Sequence, residues 1–241
     1  AEALLRYVRG GGRLLLMVDP QTDLGLDPLL HGLGVQRLPG VLCSEKHTVR
    51  RRYNKADAAH VYSNQYSSHP TVTTVSRHAS RVATMFFGGG AFERHRGQAA
   101  GKDTKLTFPL RSSSDFWLDT DGDFTRDPNE VLGQKNMVVA VTVGANGDSN
   151  GRVVIIGDGG FATDGLMRNS GNLLLFVDAL RWLIGQEELS GDLSSEEDVP
   201  IEHRKEKDRI WFYATSFGLP LPILLLGLWI ARRRRRRAGV S

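Results

Sequence analysis

Arg152-Val153-Val154-Ile155-Ile156-Gly157-Asp158-Gly159-Gly160 is the stretch that decides the fold class. Its apolar core does not alternate, and β-branched residues dominate it, which reads as a strand buried on both faces. The glycines read as a tight turn. From Asn172 to Ile184, apolar residues stand at Leu173, Leu174, Phe176, Val177, Leu180, Leu183 and Ile184. That is a wide helical face suited to packing on a sheet. The same grammar appears at the start of the chain. Ala1–Val8 has helical spacing, Gly10-Gly11-Gly12 breaks it, and Arg13-Leu14-Leu15-Leu16-Met17-Val18 is a short apolar run halted by Asp19-Pro20. Helix, glycine turn and buried strand together predict an α/β domain with a mostly parallel sheet and flanking helices.

Between these ends the signal is weaker. Leu29–Leu33 predicts a short helix, and Gly40–Cys43, Val82–Phe87, Leu106–Leu110 and Val138–Val143 predict strands. His69–Val75 reads as extended or turn-like, and Arg94–Lys105 and the acidic Ser112–Gln134 read as irregular.

The C-terminal part has a different character. Ile210–Ala231 contains no charged residue, and Arg232–Arg237 follow it directly. As a helix the stretch would be about 33 Å long, enough to cross a bilayer. Trp211 and Tyr213 stand near one end and Trp229 near the other, and the arginines are expected to stay on the cytoplasmic side. The sequence therefore predicts an extracytoplasmic domain over 1–185, a charged stalk over 186–209, one transmembrane helix over 210–231 and a basic cytoplasmic tail over 232–241 in a bacterial inner membrane. The chain begins with Ala inside a helical pattern, so it is read as the C-terminal part of a longer protein whose targeting segment lies upstream.

Charge agrees with this division. The 241 residues hold 31 Lys and Arg against 27 Asp and Glu, but removing the six tail arginines leaves 25 against 27, a net of −2. The globular part is not basic, so nucleic acid is not an expected partner. Membrane lipid is, through the tail. One cysteine, Cys43, excludes an intrachain disulfide.

Several segments together resemble the GldG-like auxiliary proteins of ABC transporters. Gly11-Gly12-Arg13-Leu14-Leu15-Leu16 with Asp19-Pro20 and then Gly34-Val35 resembles that family's "GGRLLVLLDP … WGV". His69-Pro70 resembles its "HPIT", Arg152–Ala162 its "RVVVVGDSDFASN", and Gly171-Asn172 through Trp182-Leu183 its "GN…FFLNALNWLAGE". The resemblance implies a flavodoxin-like or class I glutamine amidotransferase-like fold. It also implies a non-catalytic binding or scaffolding subunit that works with an ABC permease and an ATPase, in gliding motility or export. Gly159-Gly160 stands where the family often has Ser-Asp, which removes a hydroxyl from that turn.

Three sites follow from the residues. The end of the strand at Asp158, Gly159 and Gly160, with Asp19 and Asp164, is where an open α/β sheet binds ligands. The structural alternative is a turn that Asp158 caps, and neither a dinucleotide fingerprint nor a P-loop is present. Asp119, Asp121, Asp123, Thr125, Asp127 and Glu130 occupy positions 1, 3, 5, 7, 9 and 12 of a calcium-loop spacing, although position 6 is Phe124 where glycine is required. Calcium is the one cofactor the pattern admits. Cys43 would be the nucleophile of an amidotransferase-like hydrolase, but it lacks the glycine-flanked turn such chemistry needs. The expected protein is not an enzyme. The alternatives are that membrane-anchored hydrolase and a calcium-binding surface or adhesion protein.

Overall fold

The computed structural model describes residues 1–22, 25–96, 103–144, 150–186 and Trp229. They belong, Trp229 apart, to a unit spanning Ala1–Leu193; Trp229 lies in a second unit, Ser194–Ser241. The expected stalk over 186–209, Gln186 excepted, and the expected span over 210–231, Trp229 excepted, lie outside the described residues.

The centre is a seven-stranded sheet in which β1 (Arg13–Met17), β11 (Gly151–Ile156), β10 (Asn136–Val143), β7 (Phe92–Arg94) and β2 (Val35–Arg37) follow in that order. β8 (Thr104–Arg111) also pairs with β10, and β5 (Gln65–Tyr66) pairs with β8. Two antiparallel pairs stand apart: β3 (Val41–Ser44) with β9 (Phe116–Asp119), and β4 (His60–Ser63) with β6 (Thr84–Phe87). The helices are α1 (Glu2–Arg9), α2 (Asp27–Gly32), α3 (Thr73–Arg77), α4 (Asp164–Met167) and α5 (Ser170–Ile184).

This corrects the mostly parallel sheet that the sequence predicts. Among the described strands β1–β11 is the one parallel pair, and every other pairing is antiparallel. The long apolar runs arise because both faces of the sheet are covered, not because the strands are parallel. Val138, Ala140, Val154 and Ile156 belong to one buried cluster, and Val139, Val141, Val153 and Ile155 belong to another. Alternate residues point to opposite faces, so both sets must be apolar. The seven residues 144–150 between β10 and β11 are also too few for a parallel crossover, which needs a dozen or more. The predicted transmembrane helix over 210–231 falls, Trp229 apart, outside the described residues; among those described, no helix is long and apolar enough to cross a membrane.

Three local readings also change. Residues 69–75, read as extended or turn-like, form a short 3-10 turn at Pro70–Val72 and then open α3. The acidic segment read as irregular contains β9, because Phe116 and Trp117 are buried beside Cys43 and Leu42. The β8–β10 register slips on either side of Val138, at the level of Pro109, which has no N–H to give to a ladder.

The motif at the start of α5 has a physical basis. Asn169 caps the helix through its side-chain oxygen on Gly171 N (2.8 Å) and also donates to Ala83 O (3.0 Å). The buried Asn172 amide accepts from Met85 N and donates to Met85 O, both at 2.8 Å, so a side chain pairs with β6 as a neighbouring strand would. Gly185, at φ +80°, ends the helix in the left-handed conformation that glycine adopts without strain.

Candidate functional site

At the carboxyl ends of β1 and β11 the structure brings Asp19, Asp158 and Gly159 together and fills the space between them. Asp158 is buried. Its Oδ2 accepts from Phe87 N and its Oδ1 from Gly160 N, each at 2.7 Å. Burial pushes the Asp158 carboxyl above the ordinary range; the two N–H donors pull it back in part, and the nearby Asp19 charge adds to the rise. Asp19 accepts from Gln21 N at 2.8 Å. A side-chain carbon added at Gly159 would stand 3.2 Å from Asp19 Cβ. One added at Gly90 would stand 2.7 Å from Pro20 Cβ, and one at Gly157 2.6 Å from Gly90 O. The segment Gly88–Gly90 therefore lies directly over the strand ends, where an open α/β sheet would have its crevice. Gly160 is half-buried, and Asp164 is exposed at the start of α4, apart from the others. The turn-and-cap alternative describes Asp158.

In the acidic loop, Asp119, Asp121 and Asp123 hold carboxylate oxygens within 4.8 Å of one another. Asp127 and Glu130 are not part of that group. The buried Glu130 takes Thr120 N (2.9 Å) and Asp127 N (3.1 Å). The buried Asp119 takes Gly122 N (2.8 Å) and Phe124 N (3.0 Å). Asp123 takes Thr125 N at 2.7 Å. Most of these carboxylates fold the loop on to its own amides. Three clustered carboxylates fall short of the six to eight oxygens that calcium needs, and β9, not a helix, leads into the loop. The Asp123 N–H lowers the Asp121 carboxyl, but the adjacent Asp119 carboxyl and the charges of Asp123 and Asp127 outweigh it and lift it above its usual value. Phe124 nonetheless makes the turn expected of glycine at this position, with φ +57°, at a cost of about 1–2 kcal/mol.

Cys43 lies on β3 opposite Trp117 of β9 and is fully buried. Burial, with the nearby Asp119 and Glu130 carboxylates, pushes its thiol up to about 12. About one thiol in ten thousand is then ionised at pH 8, and the thiolate is the nucleophile. Iodoacetamide at pH 8 is therefore expected to label Cys43 only after denaturation, as mass spectrometry would read. Rapid labelling of the folded protein would contradict this burial.

Sequence reasoning passed over the segment beyond Cys43. Ser44 Oγ donates to Asp115 Oδ2 at 2.8 Å, and His47 Nδ1 lies 3.1 Å from the same oxygen. A Ser-His-Asp triad needs the histidine in the middle; here the carboxylate is in the middle. Partial burial raises the Asp115 carboxyl, but the His47 and Ser44 hydrogen bonds outweigh it and hold the group below its ordinary value. Asp57 accepts from Arg52 N (2.9 Å), Tyr53 N (2.7 Å) and His60 Nδ1 (3.2 Å). Burial would raise it, but these N–H donors and that of Arg51 hold it low. Tyr53 thereby stands at φ +56°. The amides that Asp57 and Asp119 hold are only four and five residues away, but the burial of both aspartates comes from tertiary packing, which local sequence does not announce.

No protein-family model and no curated protein matches this chain. Among solved structures, one described as "mmIFT52 N-terminal domain" is similar, with a TM-score of 0.52 and 14% identity over 76% of this chain and 69% of that one. At that identity the likeness concerns the fold.

Proposed function

We propose that this chain is a non-catalytic, membrane-tethered binding or scaffolding subunit of an ABC transporter, of the GldG-like kind, with its folded domain outside the cytoplasm. The observation that carries the reading is the filled strand end. Gly88–Gly90 covers the place where an enzyme of this layer architecture would hold substrate, and the most buried carboxylate there, Asp158, is engaged by two backbone amides. The buried, protonated Cys43 offers no nucleophile. The ordered sequence likeness supports the transporter assignment, and the uncharged Ile210–Ala231 followed by six arginines supports the tether.

The test is purification of the full-length protein from its native membranes in mild detergent, followed by mass spectrometry. A permease and an ATPase are expected to co-purify. Recovery of the protein alone, or in the soluble fraction after ultracentrifugation without detergent, would refute the assignment.

A further inference from the structure

Between the segment after β3 and the acidic loop lies an open cavity of about 510 Å³, within the roughly 300–1,000 Å³ typical of small-molecule sites. One wall carries Arg50, Tyr53, Asn54 and Lys55; the other carries Phe124 and Thr125. Tyr53 and Phe124 are the two described non-glycine residues with positive φ, and both line this one cavity. Bulky residues in that region are outliers, and such strain collects where a ligand is held. Each turn is fixed by a buried carboxylate: Asp57 holds Tyr53 N, and Asp119 holds Phe124 N. The result for Tyr53 is a large ring 84% exposed beside a cavity.

Charge indicates what the rings would meet. Lys46, Arg50, Arg51, Arg52 and Lys55 are all exposed, against Glu45 as the one acid between residues 45 and 55, which is exposed and also lines the cavity. Arg51 lies over the Phe87 ring at 4.8 Å. Among the described residues, Arg50 and Lys55 form no ion pair. Asp57 also lines the cavity, but its carboxylate is turned on to the Arg52 and Tyr53 amides and His60. From the acidic loop only Phe124 and Thr125 reach the lining.

We propose that this cavity binds a small ligand with a planar ring and a phosphate or carboxylate group, the ring against Tyr53 and Phe124 and the anion on Arg50 and Lys55. The site is independent of the strand end and of any transporter partner. Isothermal titration of the full-length protein with phenyl phosphate is expected to saturate below about 1 mM, with inorganic phosphate and phenol each at least tenfold weaker; a tenfold step is about 1.4 kcal/mol. Benzoate in place of phenyl phosphate distinguishes a carboxylate from a phosphate preference. Arg50→Ala and Lys55→Ala, both at exposed positions, are each expected to weaken binding about tenfold. Tyr53→Gly separates structure from binding: it relieves the left-handed strain, so the thermal midpoint rises, while affinity falls about tenfold with loss of the ring. If neither phenyl phosphate nor benzoate saturates by about 10 mM, or if inorganic phosphate binds as tightly as they do, or if Tyr53→Gly binds like the wild type, the proposal fails.

Discussion

Replacing Gly171 with alanine is expected to destabilise the protein by about 3 kcal/mol or more. Gly171 sits in the first turn of α5, where it touches the backbone before β6. The added carbon would overlap the Ala83 carbonyl oxygen and lie 2.5 Å from its carbon and 3.0 Å from Thr84 N. Rotamer changes cannot relieve a clash with backbone. That backbone is itself held, by Asn169 Nδ2 on Ala83 O at 3.0 Å and by the Asn172 amide on Met85. The opposing gain in helix propensity is at most about 1 kcal/mol, so the clash wins. Gly165→Ala is the internal control. It lies in α4, nothing stands within 4 Å of the added carbon, and the change is expected to be neutral or slightly stabilising. Urea denaturation reads both. Equal midpoints for Gly171→Ala and the wild type would show that α5 does not seat on β6 as described.

Asp178→Ala is expected to cost a similar amount, about 3 kcal/mol, because two buried N–H groups lose their acceptor at about 1–3 kcal/mol each. Asp178 lies on α5 with no exposure, and its Oδ2 accepts from Thr74 N (2.6 Å) and Val75 N (3.1 Å). These amides open α3, whose own N-cap residue, Val72, makes no side-chain cap. One helix thus caps another across the core. Both bonds go to one oxygen, and among the described residues Oδ1 has no hydrogen-bond partner. Asp178→Asn can therefore keep the acceptor in place and should cost only about 1 kcal/mol, the difference between a charged and a neutral acceptor. At Asp158 both oxygens accept amides, so Asp158→Asn turns an NH₂ toward a donor and should cost about 2–3 kcal/mol. Opposite tolerance of asparagine at two buried aspartates checks the assigned geometry by urea midpoint alone. If the two asparagine variants lost equal stability, the assignment of one accepting oxygen against two would be wrong.

Parts of the sequence carry their structure locally. The runs at residues 13–18 and 152–156, the broad apolar face of 172–184 and the glycine at 185 specify strands and a helix through side-chain period and turn chemistry, which neighbouring residues supply. The Asp158 turn was also legible, since an aspartate before two glycines caps a turn. Strand direction was not legible from the apolar runs, because burial on both faces erases the alternation that marks an antiparallel strand; only the short 144–150 connection records it. α3 was hidden because its cap lies 104 residues away in α5. Phe124 and Tyr53 were hidden because a left-handed turn at an aromatic residue exists only where a buried carboxylate holds it.

The chain's own order of residues set the strands at 13–18 and 152–156 and the helix at 172–184, how the charge divides, and where an uncharged stretch meets six arginines; each follows from properties of residues close in sequence. Tertiary packing alone decided that Gly88–Gly90 closes the strand ends and that residues 44–58 face the loop at 119–130 across a cavity. Those outcomes depend on burial and on contacts between distant segments, and the free energy of a carboxylate or a glycine at such a contact is fixed by its surroundings, not by its neighbours in the chain.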